Sequence, residues 1–280
     1  MVSTATPATG AAQLGAPEPR AAQTGGKCTH HRQITYNELA DFLERCVKIS
    51  GVLTRRHTDR EYEHELETLK ERVLLMGARV EQMIDHSMRA FVERNPTLAR
   101  ATIEQDVQID ALELEIDELC LQILAKRQPV ASDLRFITTS LKLVTDLERI
   151  GDLAVNISER VVELCSEAAI SGHQAIPRIS GVAQAMLHDA LDAFVAGDAA
   201  KAEAVVKRDD IVDAYYAQLF PELVGSMMTD PKLVDCSTKL LSTGKYLERI
   251  ADHATNIAEM VVFMVRGQDV RHAGTQPHVA

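Results

Sequence analysis

The residues with the clearest chemical potential are acidic side chains that recur four positions apart. Asp106 and Asp110 form one such pair, and Glu148, Asp152 and Asn156 form a second line at the same spacing. On a helix these positions share a face, where like charges repel by roughly a few tenths of a kcal/mol per pair. A bound cation would offset that repulsion, because hard divalent or ferric ions take carboxylate and amide oxygens. The alternative is a solvated acidic face with ordinary surface salt bridges.

The second half of the chain repeats this arrangement. Segment 81–92 aligns with 184–195 at an offset of 103, and nine of the thirteen residues at 147–159 recur at 247–259, at an offset of 100. About one match would be expected by chance in the latter comparison. The duplicated polar residues are Asp209, Asp213, Glu248, Asp252 and Asn256. Duplication at a fixed period indicates two structural units in tandem.

Helices must position these residues. Apolar residues with helical periodicity predict one helix from near Asp59 to Asn95, a second over about 98–126 and a third over about 132–165. At about 100° per residue, Leu147 and Ile150 fall on a core stripe of the third helix, and Glu148 falls broadly opposite. The acidic lines should therefore face outward from adjacent helices, where they could hold ions jointly.

The predicted fold class is all-α, a tandem repeat of two antiparallel three-helix bundles. Few aromatic residues (4%) and no tryptophan favour helices over a sandwich or barrel. The predicted organisation is an N-terminal extension (1–51), a first bundle (52–170), a second bundle (171–268) and a flexible tail (269–280). Within the extension, residues 1–31 are predicted to be disordered because they are poor in large apolar residues. The pattern Leu39, Phe42, Leu43, Cys46 and Val47 predicts a short amphipathic helix over 36–49.

Charge and composition exclude several functions. The net charge of −11 argues against non-specific nucleic-acid binding, which needs clustered lysine and arginine. No stretch reaches the roughly 18–20 apolar residues of a spanning helix, so we expect membrane association only through partners. Five scattered cysteines without a C-x-x-C pair, and no recognisable secretory signal, predict a cytoplasmic protein. No phosphate-binding glycine loop or nucleophile elbow is present, so no catalysis is expected.

Residues from about 57 to 266 resemble the PhoU family of bacterial phosphate-signalling regulators. The resemblance lies in Leu-Glu-Arg-Ile-Gly-Asp at 147–152, its repeat at 247–252, Ile-Asp-x-Leu-Glu at 109–113 and Arg-Gln-Pro-x-x-x-Asp-Leu-Arg at 127–135. It implies tandem three-helix bundles, a homodimer, and iron, zinc, manganese or magnesium ions bound by repeated acidic motifs. It also implies a non-catalytic negative regulator of phosphate uptake and of the phosphate-starvation response. Such a protein would act as an adaptor, and its partners would be the ATPase subunit of the phosphate ABC transporter and a sensor histidine kinase.

Carried over by position, the resemblance gives ten candidate metal ligands. They are Asp106, Asp110, Glu148, Asp152 and Asn156 in the first bundle, and Asp209, Asp213, Glu248, Asp252 and Asn256 in the second. The second bundle departs from the first by placing Tyr216 and Phe220 where Glu113 and Asp117 lie, so its site is expected to be poorer. Pro221 should also kink or end that helix. The rival functions are a carboxylate-bridged metal enzyme and a purely structural helical scaffold.

Overall fold

The computed structural model describes residues 60–166 and 175–268. In these ranges the chain forms eight α-helices and one 3₁₀ turn, without strands. The first half contains α1 (Arg60–Glu93), α2 (Pro96–Ile103), α3 (Asp106–Lys126) and α4 (Ala131–Leu164). The second half contains α5 (Ala175–Ala196), α6 (Ala199–Val206), α7 (Asp209–Thr229), the 3₁₀ turn (Pro231–Leu233) and α8 (Val234–Arg266). The all-α class and the duplicated bundle predicted from the sequence are confirmed.

Each bundle contains a short helix that the sequence pattern did not separate. The segment over about 98–126 was predicted as one helix, but the structure breaks it at 104–105 into α2 and α3. The Asn95 side chain accepts hydrogen bonds from the backbone N–H groups of Thr97 and Leu98 and so caps α2. Asp198 caps α6 in the same way. No glycine or proline marks the break, so hydrophobic periodicity alone could not reveal it.

The duplication extends to the turns between helices. The chain leaves α1 through Arg94 at φ 51° and leaves α5 through Gly197 at φ 61°, two positions related by the offset of 103. Glycine adopts this left-handed conformation without steric cost, whereas arginine does not. The first bundle compensates locally, because the Arg94 guanidinium donates a hydrogen bond of 2.6 Å to the carbonyl of Leu164.

The core runs without interruption through both bundles. On α4 the predicted stripe of Leu147, Ile150, Ala154 and Ile157 is completely buried. The bundles join where α4 packs against α8 and α1 packs against α5. Gly77 on α1 makes the second contact close, since a Cβ there would lie 2.8 Å from the Leu191 Cδ1 atom. The two halves are therefore one packed unit.

Two further sequence predictions can be compared with the structure. Pro221 does not end a helix, because α7 continues past it to Thr229. No helix of the described part is both long enough and apolar enough to span a membrane. The N-terminal extension, the predicted helix over 36–49, the bundle junction near 171–172 and the tail from 269 lie outside the described residues.

Candidate metal-binding faces

Acidic side chains from α3 and α4 lie together on the outside of the first bundle. We call this the first acidic face; it comprises Asp106, Asp110, Glu113, Asp117, Glu148 and Asp152. A glycine at position 151 allows the two helices to approach, because a Cβ there would lie 3.4 Å from the Ile109 Cγ2 atom and 3.7 Å from the Asp106 Oδ1 atom. This contact places the start of α3 against the middle of α4. Residues 31 to 46 positions apart in the sequence therefore share one surface, as the sequence predicted.

The carboxylates of the first acidic face perturb one another. Partial burial raises the pKa of Asp106, and the neighbouring charges of Asp110 and Asp152 raise it further. The pKa of Glu148 is raised by burial, then by Asp152 and Glu113, while the nearby Arg149 guanidinium lowers it. Each charge thus disfavours ionisation of the next. The face carries a local excess of negative charge that Arg149 only partly balances.

The second acidic face comprises Asp209, Asp213, Glu248 and Asp252 on α7 and α8. Burial, followed by the charges of Asp252 and Asp213, raises the pKa of Asp209 from 3.8 to about 6. The pKa of Asp252 is also raised, by burial first and then by Glu248. The helices approach closely here too, because a Cβ at Gly244 would lie 2.6 Å from the Leu219 Cδ2 atom.

The second acidic face contains a lysine that has no counterpart in the first face, where Arg149 is the nearby cation. The Lys245 ammonium group forms an ion pair with Glu248 and also lies 5.6 Å from the centre of the Tyr216 ring. Its charge opposes the rise in the pKa of Asp252. The equivalent of Lys245 at the offset of 100 is Thr145, and the equivalent of Tyr216 at the offset of 103 is Glu113. Relative to the first face, the second therefore has a lysine in place of a threonine and an aromatic ring in place of a carboxylate.

The two asparagines differ in their surroundings. Asn156 is half-buried on α4, beyond Asp152 along the helix. The Asn256 side-chain amide lies 3.4 Å from the Asp146 Oδ1 atom and points across the junction between the bundles. The same oxygen lies 2.7 Å from the His253 Nδ1 atom. Asn256 is thus placed with an interbundle pair, while its predicted role as a ligand stays a prediction.

The donor chemistry of both faces fits hard cations, since carboxylate oxygens are the ligands these ions prefer. Over residues 60–166 and 175–268, however, no three histidine, cysteine, aspartate or glutamate side chains are gathered into a group that could hold one metal ion. Asp110, Asp152, Asp213 and Asp252 are exposed, so their side chains can rotate. Side-chain rotation would be needed before three of them reached a common ion.

Sequence reasoning missed two charged features near these faces. Lys245 stands three residues before Glu248, a spacing that places both on one side of a helix. A comparison with the equivalent Thr145 would have revealed that only the second face has a lysine at this position. The pair of Asp146 and His253 had no such signal, because the residues are 107 positions apart and their equivalents, Tyr246 and Leu153, are not charged. It joins α4 to α8 across the bundle junction.

Comparisons with known proteins agree on one family. A profile described as PhoU domain matches residues 73–161 and again 176–261, once in each bundle. A phosphate-specific transport system accessory protein PhoU homolog of Pseudomonas aeruginosa is 42% identical over 219 residues, which cover 78% of this chain and 90% of the relative. The corresponding protein of Escherichia coli K12 is 35% identical over 78% of this chain and 91% of its own length.

Solved structures support the same grouping. The crystal structure of PhoU from Pseudomonas aeruginosa superimposes with a TM-score of 0.72 at 41% identity, covering 74% of this chain and all of the other. The phosphate transport system regulatory protein PhoU from Streptococcus pneumoniae gives a TM-score of 0.69 at 30% identity, covering 75% of this chain and 99% of the other.

Proposed function

This chain belongs to the PhoU family, and on that premise we propose that it is an accessory protein of phosphate transport. In the finer form of the proposal it restrains phosphate uptake and the phosphate-starvation response when phosphate is plentiful. It would do so as an adaptor between the transporter ATPase subunit and a sensor histidine kinase. The transport role is supported by the relatives in Pseudomonas and Escherichia, which are accessory proteins of the phosphate-specific transport system.

We propose that the two acidic faces bind metal ions as part of this role. The supporting observation is that helices distant in sequence bring acidic residues onto one surface, twice, with raised pKa values for Asp106, Glu148 and Asp209. A bound divalent or ferric ion would offset the repulsion among these carboxylates. The residues that would hold it are Asp106, Asp110, Glu148 and Asp152, with their equivalents in the second bundle.

A non-catalytic role agrees best with the position of these residues. The acidic side chains lie on the outer surface of the bundles and not in an enclosed cavity, which favours contact with partner proteins over sequestered chemistry. We infer that the protein works in the cytoplasm, as a homodimer, and reaches the membrane only through the transporter. Turnover with iron or manganese in an oxidase or hydrolase assay would instead support the rival metal-enzyme proposal.

Elemental analysis of the purified full-length protein tests the metal proposal. We expect bound iron, zinc, manganese or magnesium in the wild type, and a loss of metal when Glu148→Ala and Asp152→Ala are combined. Glu159→Ala, an exposed change on the same helix, is the matched control and should retain the metal content. Wild-type protein that binds none of the four metals, when each is added in excess, would refute metal binding.

A deletion strain tests the regulatory role separately. Without the gene, phosphate-starvation genes should be expressed in phosphate-rich medium, and a plasmid copy of the wild type should silence them again. Unchanged expression in the deletion strain would refute the regulatory proposal. The variant with both Glu148→Ala and Asp152→Ala then shows whether regulation requires the first acidic face.

A further inference from the structure

Helix α7 is apolar on its solvent side as well as on its core side. From Ala214 to Thr229 it contains a single charged residue, Glu222. Its core side is defined by the buried Val212, Leu219 and Leu223. At about 100° per residue, the opposite side is formed by five exposed residues, which we call the outer face of α7. They are Ala214, Ala217, Pro221, Gly225 and Met228.

The outer face of α7 is more apolar than a solvent-facing helix surface needs to be. Met228 is 83% exposed, and Phe220 at the edge of the face is 52% exposed. Among the described residues, no atom outside the helix backbone lies within 4 Å of the position that a Cβ on Gly225 would take. Helices that are apolar on all sides are normally buried, and a contiguous exposed apolar patch marks an interaction site.

The residues of this face are spaced symmetrically about Pro221. The intervals between successive members are three, four, four and three positions, so the order reads the same in both directions. If a second copy of α7 packs antiparallel about a twofold axis at Pro221, residues equally far from that position face each other. Ala214 then faces Met228 of the second copy, and Ala217 faces Gly225 of the second copy. A large side chain meets a small one in the outer layers, which suits close helix packing.

Charges at the two ends of the face are also complementary under this symmetry. Asp210 stands eleven residues before Pro221, and Lys232, in the 3₁₀ turn after α7, stands eleven residues after it. Both are exposed, and neither forms an ion pair with any residue in the described ranges. The antiparallel arrangement would bring Asp210 of each copy towards Lys232 of the other. Opposite charges at both ends favour this pairing and fix its register.

The equivalent helix of the first bundle lacks these properties. At the offset of 103, the central Pro221 corresponds to Glu118 of α3, and Asp210 corresponds to Val107. Pairing two α3 helices about the same centre would bring two Glu118 carboxylates together, which is unfavourable. The self-complementary surface therefore occurs once in each molecule. A single surface that pairs with its own copy about a twofold axis gives a closed dimer and not a filament.

The charge of α7 disfavours a membrane surface as the cover of this face. The helix contains four acidic residues and neither lysine nor arginine. Helices that lie on membranes usually carry lysine or arginine on their polar side, because those residues attract anionic lipids. An acidic helix would instead be repelled by such a surface.

We propose that two copies of this chain associate through the outer face of α7, antiparallel about a twofold axis near Pro221. The inference rests on the homodimer inferred under the proposed function, and it names the surface that forms it. The helix is about 31 Å long, and one helix pair of this length is a small interface, so the dimer should dissociate reversibly on dilution. The second bundles would lie at the centre of the dimer, which leaves the first bundle of each copy free for other partners.

A charge exchange tests the register of the pairing. Sedimentation equilibrium of the full-length protein measures the dissociation constant of the dimer. Asp210→Lys alone, or Lys232→Asp alone, would place like charges at both ends of the interface and should weaken the dimer roughly tenfold. An equimolar mixture of the two variants has opposite charges at both ends again and should recover the wild-type affinity. Glu104→Lys, an exposed charge change in the first bundle, is the control and should leave the affinity unchanged.

A second pair of variants tests the apolar contact. Ala217→Arg inserts a long charged side chain next to the centre and should abolish the dimer across the micromolar range. Leu114→Arg, at the equivalent position of the first bundle, is the matched control and should retain the dimer. Both positions are exposed, so the melting temperature of each monomer should stay close to that of the wild type.

The possible failures separate the α7 interface from the wider proposal. A dimer of unchanged affinity in Ala217→Arg would overturn the α7 interface and leave the homodimer itself standing. A mixture of Asp210→Lys and Lys232→Asp that dimerises no more tightly than either variant alone would overturn the proposed register and with it the interface. Wild-type protein that stays monomeric across the micromolar range would overturn both the interface and the homodimer.

Discussion

Replacing Asp209 by asparagine should stabilise the protein at neutral pH when metal ions are removed. The pKa of this carboxyl lies at about 6 in the folded chain, against 3.8 for an unperturbed aspartate. Each pKa unit corresponds to about 1.4 kcal/mol, so ionised Asp209 opposes folding by about 3 kcal/mol at pH 7. Partial hydration and the favourable position of a carboxylate in the first turn of α7 reduce the expected gain to about 1–2 kcal/mol.

The pH dependence makes this prediction specific. A raised pKa means that the folded chain binds the proton more tightly, so the unfavourable contribution grows as pH rises from about 4 through 6 and is absent below about 4. Urea unfolding of wild type and Asp209→Asn with a chelator, at pH 4, 5.5 and 7, measures the difference. Glu222→Gln, about 20 Å along the same helix, is the control and should show little change at any pH. Asp209→Asn protein no more stable than wild type at pH 7, or equally stabilised at pH 4, would refute the electrostatic account.

Three other changes probe the faces and the bundle junction. Lys245→Thr introduces the residue found at the equivalent position of the first bundle, and should tighten Mn²⁺ binding to the second acidic face in calorimetry. Without metal, the loss of the ion pair should lower the free energy of unfolding by up to about 1 kcal/mol. Gly77→Ala should lower the free energy of unfolding, measured in urea, by about 1–2 kcal/mol, because its Cβ would lie 2.8 Å from a buried leucine. Gly181→Ala is the control: no atom lies near its Cβ, so it should be neutral or slightly stabilising. Glu81→Gln should lower the pKa of His188 in an NMR titration, because the hydrogen bond that His188 Nδ1 donates to the Glu81 carboxylate is the main cause of its raised pKa. The stabilisation by this pair is present at acidic pH and is lost as pH rises through the raised value.

The sequence predicted those parts of the fold that depend on repetition along one helix. The burial of Leu147 and Ile150 follows from a 3.6-residue period, and the two bundles follow from the offset between 147–159 and 247–259. The division of 98–126 into two helices could not be predicted in this way. It depends on the turn at 104–105, where the backbone N–H groups of Glu104 and Gln105 bond to the carbonyls of Arg100 and Thr102 and where neither glycine nor proline interrupts the apolar pattern.

For the candidate site, the sequence located the acidic residues but not the balance of charge around them. Helical spacing placed Asp106 and Glu148 on outward faces, and the structure confirms that these faces adjoin. The pairing of Asp146 with His253 depends on how one bundle packs against the other, information that periodicity within a helix does not contain. The positive charge of Lys245 at the second face could have been predicted only by comparing the two halves position by position.

The divergence of the two halves implies an order of cation binding. The first acidic face has six carboxylates balanced mainly by Arg149, whereas the second has four carboxylates with Lys245 already paired to Glu248. An approaching cation must compete with the Lys245 ammonium group, paired to Glu248, at the second face, and only with the exposed Arg149 guanidinium at the first. The first face should therefore fill at lower metal concentration. A titration of Mn²⁺ into the wild type and into Lys245→Thr should therefore give two unequal steps in the former and more nearly equal ones in the latter. Unequal steps that persist after Lys245→Thr would trace the difference to Glu113 and Asp117, the two acidic residues that the second face has lost.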